Sequence, residues 1–237
     1  MIDDTVPTGN PATIPGERPS PVRSGNYAGP VAGLPPQTGL TTDTAVFTNA
    51  YAVIPRSVMR DIVTSFLPGW TGMRMWMLAR PLSGFAETFS QYVVELVEGG
   101  GCDAPEDDPQ IQSAIFVTGG EMDITIDGAT YRMTPGGFAY VPPGIAWAVH
   151  NATAGNCGFH WIRKRWQPAA GVDRPDPIVT NEADIAPSPM PDTEGAWATT
   201  RFVDPADLRH DMHVTVVTFQ PGGSIPFAET HVMEHGL

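Results

Sequence analysis

From residue 45 onward, apolar residues recur in short runs separated by Gly- and Pro-rich corners. In the clearest run Met122, Ile124 and Ile126 alternate with polar residues. Side chains on a strand point to opposite faces in turn, so these three share one face. Asp127-Gly128 follows, a dipeptide suited to a two-residue hairpin turn, and residues 129–133 return as the partner strand. Further strands are predicted over 45–55, 57–66, 73–78, 90–98, 113–117, 138–141, 145–151 and 158–164. The run Met73-Arg-Met-Trp-Met-Leu78 alternates poorly, which predicts burial on both sides. Gly99-Gly100-Gly101 calls for turn or bulge geometry. No segment shows a long helical period, and strands do not alternate with helices. The pattern predicts an all-β protein, a small barrel or jelly roll.

The same reading divides the chain. Residues 1–44 are rich in Pro, Gly, Thr and Ser and form an N-terminal arm. Residues 45–166 hold the first barrel. Residues 167–196, rich in Pro and Asp, read as an inter-domain linker. Residues 197–237 open a second strand set, with a short helical turn expected at 204–208 and a strand over 212–219. That strand runs into Gln220-Pro-Gly-Gly223, as 92–98 runs into three glycines. This is a weak internal repeat.

Charge narrows the function. The 26 acidic residues outnumber the 13 basic ones, a formal charge of −13. Non-specific nucleic-acid binding rests on Lys and Arg neutralising phosphates, and is disfavoured. Anionic membrane surfaces are disfavoured too. No run of 18 apolar residues suggests a membrane span. No signal peptide is readable, so a cytoplasmic location is expected. Cys102 and Cys157 form no disulfide framework. Arg163-Lys164-Arg165, the basic run, reads as a solvated strand end or an intersubunit ion pair rather than a phosphate site. The three glycines at 99–101 lack the Lys-Ser/Thr and helix of a phosphate loop.

The chemistry-bearing residues gather near the end of the chain, in Glu229-Thr-His231-Val-Met-Glu234-His235. Glu229, His231 and His235 have spacings that let them share a strand face. One carboxylate and two imidazoles suit a borderline or hard divalent metal. The ordinary alternative is three edge residues without a metal. Glu234 should face away, supporting a ligand from behind or simply solvated. His213, between Val214 and Val216 in alternation, reads first as a packed structural histidine and second as support for a pocket. His150 and His160 read as structural, and His210 as solvent-facing. The first barrel, with Met122, Ile124, Ile126, Tyr140, Val149, Phe159 and Trp161, offers no convincing ligand set and reads as catalytically silent.

Several segments together resemble one family. They are Tyr51-Ala-Val-Ile-Pro55 with residues 62–68, Phe116-Val-Thr-Gly-Gly-Glu121, and Pro135-Gly-Gly-Phe-Ala-Tyr-Val-Pro-Pro-Gly144. Asp211-Met-His213 and Glu229-Thr-His-Val-Met-Glu-His-Gly236 are the most selective. The family is the two-domain cupins, or bicupins, that include (S)-ureidoglycine aminohydrolase. The resemblance implies two double-stranded β-helix domains, the second incomplete in this sequence. It implies Mn2+ in the C-terminal cupin, held by Glu229, His231 and His235, with Glu229 also beside the substrate amine. The reaction implied is hydrolysis of (S)-ureidoglycine to (S)-ureidoglycolate and ammonia in allantoin and purine catabolism. A homo-oligomer is expected, with a small-molecule substrate. The family's fourth ligand, a Gln, and its substrate-gripping Tyr and Lys lie on later strands, so the chain is expected to continue past Leu237. Two alternatives remain open: another bicupin enzyme acting on a small carboxylate, and a non-catalytic metabolite-binding or structural cupin.

Overall fold

The computed structural model describes residues 45–48, 51–55, 67–81, 88–225 and 233–237. The expected strand over 57–66 lies outside these residues. Among the described residues fourteen strands are formed, and no long helix. A short hairpin joins β1 (Val46–Phe47) to β2 (Ala52–Val53). The main sheet contains β3 (Thr71–Ala79), β4 (Phe89–Cys102), β5 (Ile111–Gly119), β6 (Met122–Ile126), β7 (Ala129–Met133), β8 (Gly137–Val141), β9 (Trp147–His150), β10 (Cys157–Arg165) and β11 (Ile178–Asn181). Its order is β11-β8-β5-β10-β4-β9-β6-β7, with β3 on β4, and every pairing is antiparallel.

β4 lets this sheet fold over on itself. Its first part pairs with β3 and β10, and its last two residues pair with β9. Between them, residues 97–100 stand opposite Gly72 alone, a wide bulge. Gly99 has a φ of 74° there, and a Cβ on Gly101 would lie 2.2 Å from the Val149 carbonyl oxygen. The glycines are needed for conformation at one position and for close approach at the other. At the far end β6 and β7 meet through Asp127 and Gly128, whose φ values of 49° and 80° match the turn their sequence predicts.

The inward faces build one core. Trp161 is fully buried at its centre, with ring centroids 5.5 Å from Trp70, 5.5 Å from Tyr92 and 5.8 Å from Trp147. Its indole N–H donates to Ser113 Oγ at 3.1 Å, so this large ring leaves no polar atom unsatisfied. Met73, Met75, Met122, Ile124, Ile126 and Phe159 pack around it.

The proline-rich stretch is less of a linker than its composition implies. β11 lies within it and pairs with β8, Ile178 opposite Tyr140, covering the exposed edge of β8. A 3₁₀ turn at Glu182–Asp184 follows, capped by the Asn181 side chain, which accepts from the Ala183 N–H at 2.9 Å. Residues 204–208 form hydrogen-bonded turns rather than a helical turn, with the Asp207 N–H donating to the Asp204 carbonyl at 3.0 Å.

A second, three-stranded sheet follows: β12 (Ser188–Pro189), β13 (Trp197–Arg201) and β14 (Thr215–Phe219), in that order. Phe202, just after β13, stacks on Phe138 at 4.4 Å and also meets Phe116 on the outside of the first barrel. Met212, Val214 and Val216 pack into the same cluster. The sequence prediction placed His210 in solvent. The structure buries it edge-on against the Tyr140 ring at 4.7 Å, because the turn before β14 folds onto the barrel wall.

Candidate functional site

The first barrel offers little room for chemistry. Aromatic and methionine side chains fill its interior. Cys157 is buried there, and desolvation pushes its thiol up to about 12, far from a nucleophilic thiolate at neutral pH. Burial also raises the Cys102 thiol. Desolvation lowers the pKa of His160 and keeps its imidazole neutral. Among the described residues, no group of three His, Cys, Asp or Glu side chains is placed to hold a metal.

A polar clamp fixes the second sheet to this barrel. Tyr140 donates to Gln112 Oε1 at 2.8 Å, and Gln112 Nε2 donates to Asp211. Asp211 also accepts from Lys164 Nζ at 2.5 Å and from the Gln167 N–H at 2.9 Å. Gln112 and Tyr140 are almost completely buried, so this is a desolvated network with its donors and acceptors matched. Burial and the nearby Asp211 carboxylate raise the Tyr140 pKa, which keeps the phenol a donor. The clamp sets the point from which residues 212–219 run.

Beyond it, the second sheet has two unlike faces. Trp197 pairs with Phe219 and Thr199 with Val217. Directly paired residues share a face. The opposite face, with Val214 and Val216, is the one that packs on the first barrel. Burial alternates from His213, which is exposed, through half-buried Val214 to exposed Thr215. His213 therefore belongs with Val217 and Phe219, on the face turned away from the first barrel. The packed reading of His213 gives way to an exposed one, because Val214 rather than His213 meets the apolar cluster. On the same face Trp197 Nε1 and Thr199 Oγ1 are buried without a hydrogen-bond partner among the described residues.

The terminal motif is described only from Met233 onward, so Glu229 and His231 lie outside the described residues and His235 within them. Glu234 does not float in solvent. Its carboxylate accepts from the Thr88 N–H at 3.1 Å and the Thr88 hydroxyl at 2.5 Å. Gly236 lies against the Gln91 side chain, where any Cβ would collide. The tail bearing His235 is thus seated on the start of β4. No sequence signal marks Thr88 as its seat, because 146 residues separate the partners.

The comparisons with known proteins agree with this architecture. The cupin-domain family model matches residues 92–163, the heart of the first barrel. (S)-Ureidoglycine aminohydrolase of Escherichia coli K12 is 27% identical over 175 residues, covering 74% of this chain and 65% of that protein. The Arabidopsis thaliana enzyme of that name is 26% identical over 176 residues, covering 74% of this chain and 56% of its own length. The chain thus spans somewhat under two thirds of the length of these curated relatives. Among solved structures, a Pseudomonas aeruginosa protein named for its induction by glyoxylate is 58% identical, with a TM-score of 0.79 over 89% of this chain and 76% of that one. Escherichia coli YlbA shares the fold at 24% identity, with a TM-score of 0.70 over 84% of this chain and 76% of that one. The chain belongs to the cupins, within the family that includes the (S)-ureidoglycine aminohydrolases.

Proposed function

We propose that this chain serves the hydrolysis of (S)-ureidoglycine to (S)-ureidoglycolate and ammonia, with a divalent metal held by Glu229, His231 and His235. The observation that carries this reading is the likeness to proteins named for that reaction over 74% of the chain. The filled first barrel supports it, since chemistry is then left to the second strand set.

The donor set fits a divalent ion. One carboxylate and two neutral imidazoles suit Mn2+, and also iron, nickel, cobalt or zinc. Such an ion, when bound, supplies a Lewis acid that orients the substrate's carboxylate and a neighbouring nitrogen. The reaction breaks one C–N bond and forms one C–O bond at the same carbon, with water giving the hydroxyl and ammonia leaving. Glu229, placed beside the amine by the family resemblance, would take the proton from water or pass one to the departing nitrogen. His213 sits on the sheet face turned from the first barrel and would border the pocket rather than ligate. Glu234 would position His235 by anchoring the tail on Thr88. Homo-oligomerisation through sheet faces belongs to the same reading.

The test is ammonia release from (S)-ureidoglycine, measured beside bound-metal content, for the native protein, Glu229→Gln and His231→Ala. Stoichiometric metal in the native protein is expected. So is a loss of activity of about 100-fold or more in either variant, as expected when a group that holds or reacts with substrate is removed. Metal-free native protein without activity would leave a non-catalytic cupin.

A further inference from the structure

The run Arg163-Lys164-Arg165 plays no part in that chemistry. It ends β10 and lines an open cavity of about 390 Å3, together with Thr88 and Ser90 at the start of β4 and Gln167 beyond β10. Each cation is paired with an acid of the same chain. Glu106 accepts from Arg163 Nε at 2.6 Å, Asp211 from Lys164 at 2.5 Å, and Asp108 from Arg165 Nη2 at 2.7 Å. These acids orient the cations, yet none of the three is among the described lining residues. All three basic residues belong to the described wall, and the acids paired with them do not.

Arg163 is the least adaptable of the three. It lies over the Trp161 ring at 5.2 Å and is held by a nearly buried Glu106. Arg165 is about half exposed. A guanidinium carries five N–H donors, and Asp108 takes one through Nη2, so Arg165 has others to offer. A second feature points to the kind of ligand. Thr88, on the cavity wall, already receives a carboxylate, that of Glu234, through both its N–H and its hydroxyl.

We propose that this cavity is a binding site for a small carboxylate from solution, with Arg165 as the main charged contact and Thr88 as a hydroxyl contact shared with Glu234. The site lies at the end of the first barrel and meets the terminal motif at Thr88, the seat of Glu234. Charged donors flanked by hydroxyls, in a protein otherwise strongly acidic, favour a single small anion over a polyanion.

Calorimetric titration of the native protein with malonate, and separately with inorganic phosphate, tests it. Saturable malonate binding, one per chain, is expected. Arg165→Gln should weaken it about tenfold, the effect of one lost charge-assisted hydrogen bond. Glu234→Ala should strengthen it by releasing Thr88 and removing a like charge. Arg132→Gln, the same charge change on exposed β7, should leave it unchanged. Malonate binding should persist in His231→Ala, and its disappearance there would place malonate on the metal motif and overturn the proposal. Failure to saturate by about 10 mM, equal loss in Arg165→Gln and Arg132→Gln, or tighter binding of phosphate than of malonate would overturn it as well.

Discussion

The two strand sets of this chain differ in what their faces meet. The first barrel turns its inner face on itself, with Trp161 touching Trp70, Tyr92 and Trp147, and spends its interior on packing. The second sheet packs one face on the outside of that barrel and turns the other away, leaving Val217 and Phe219 more than 40% exposed. A filled barrel is stable and rigid but has no room for a substrate. The outward face of the second sheet is covered at Trp197 and Thr199, whose indole N–H and hydroxyl are buried without partners among the described residues, and is open at Val217 and Phe219. One half is closed around its own core, and the other keeps a face turned away from that core.

The largest effect that can break this contrast is on stability. Trp161→Ala removes the central ring of a closed core and should cost about 3–5 kcal/mol. Phe219→Ala, on the open face, should cost about 1 kcal/mol or less. Urea unfolding of both variants against the native protein measures the difference. Similar costs would mean that the outward face of the second sheet is as tightly packed as the barrel interior, and the contrast would fail.

A smaller effect probes the joint between the halves. Asp211→Ala leaves Lys164, Gln112 and the Gln167 N–H without their acceptor. Of these only the Gln112 amide is fully buried, and unpairing one buried polar group costs about 1–3 kcal/mol, so a net loss of about 2 kcal/mol is expected. It should fall unevenly. Amide hydrogen exchange should quicken in β13 and β14, while the β6–β7 hairpin, on the far side of the barrel, keeps its protection. Uniform acceleration would show that the clamp stabilises the whole molecule rather than the docking of the second sheet.

Legibility in the sequence followed the range of the interactions. The β6–β7 hairpin was readable because alternation and Asp127-Gly128 are local signals, and the structure forms it over the residues expected. The bulge at Gly99 was readable for the same reason, though only as one of two options. β11 was hidden, because Pro and Asp dominate its neighbourhood and its strand character comes from pairing with β8. His210 was misread because charged neighbours in sequence said solvent, while Tyr140, 70 residues earlier, supplies the wall that buries it. The terminal motif was readable only as an expectation from its residue types, since Glu229 and His231 lie outside the described residues. The seat of its tail on Thr88 was not, since nothing local encodes a contact across 146 residues.

The smallest effect concerns His210, and it sharpens the account of the joint. Desolvation comes first among the influences on its imidazole and lowers its pKa, with Arg209 and His213 acting the same way. Asp207 and Asp211 oppose them, and Asp207 lies 3.8 Å from Nε2. The folded protein therefore favours the neutral ring, while the unfolded chain takes up a proton first as pH falls below about 6.5. The stabilisation is present above that pH and lost as pH drops through the interval down to the folded-state value. His160, lowered by burial, adds to the same slope. His210→Phe keeps a ring against Tyr140 and removes both the titration and the unpartnered Nδ1. Between pH 7.5 and 5.5 the variant should therefore lose less unfolding free energy than the native protein. It should also show less acid-induced exchange in the strands that the joint holds. Parallel pH profiles would shift the acid sensitivity to His160 and the barrel wall. The turn before β14 would then be a passive spacer, and the coupling of the two halves would rest on Asp211 alone.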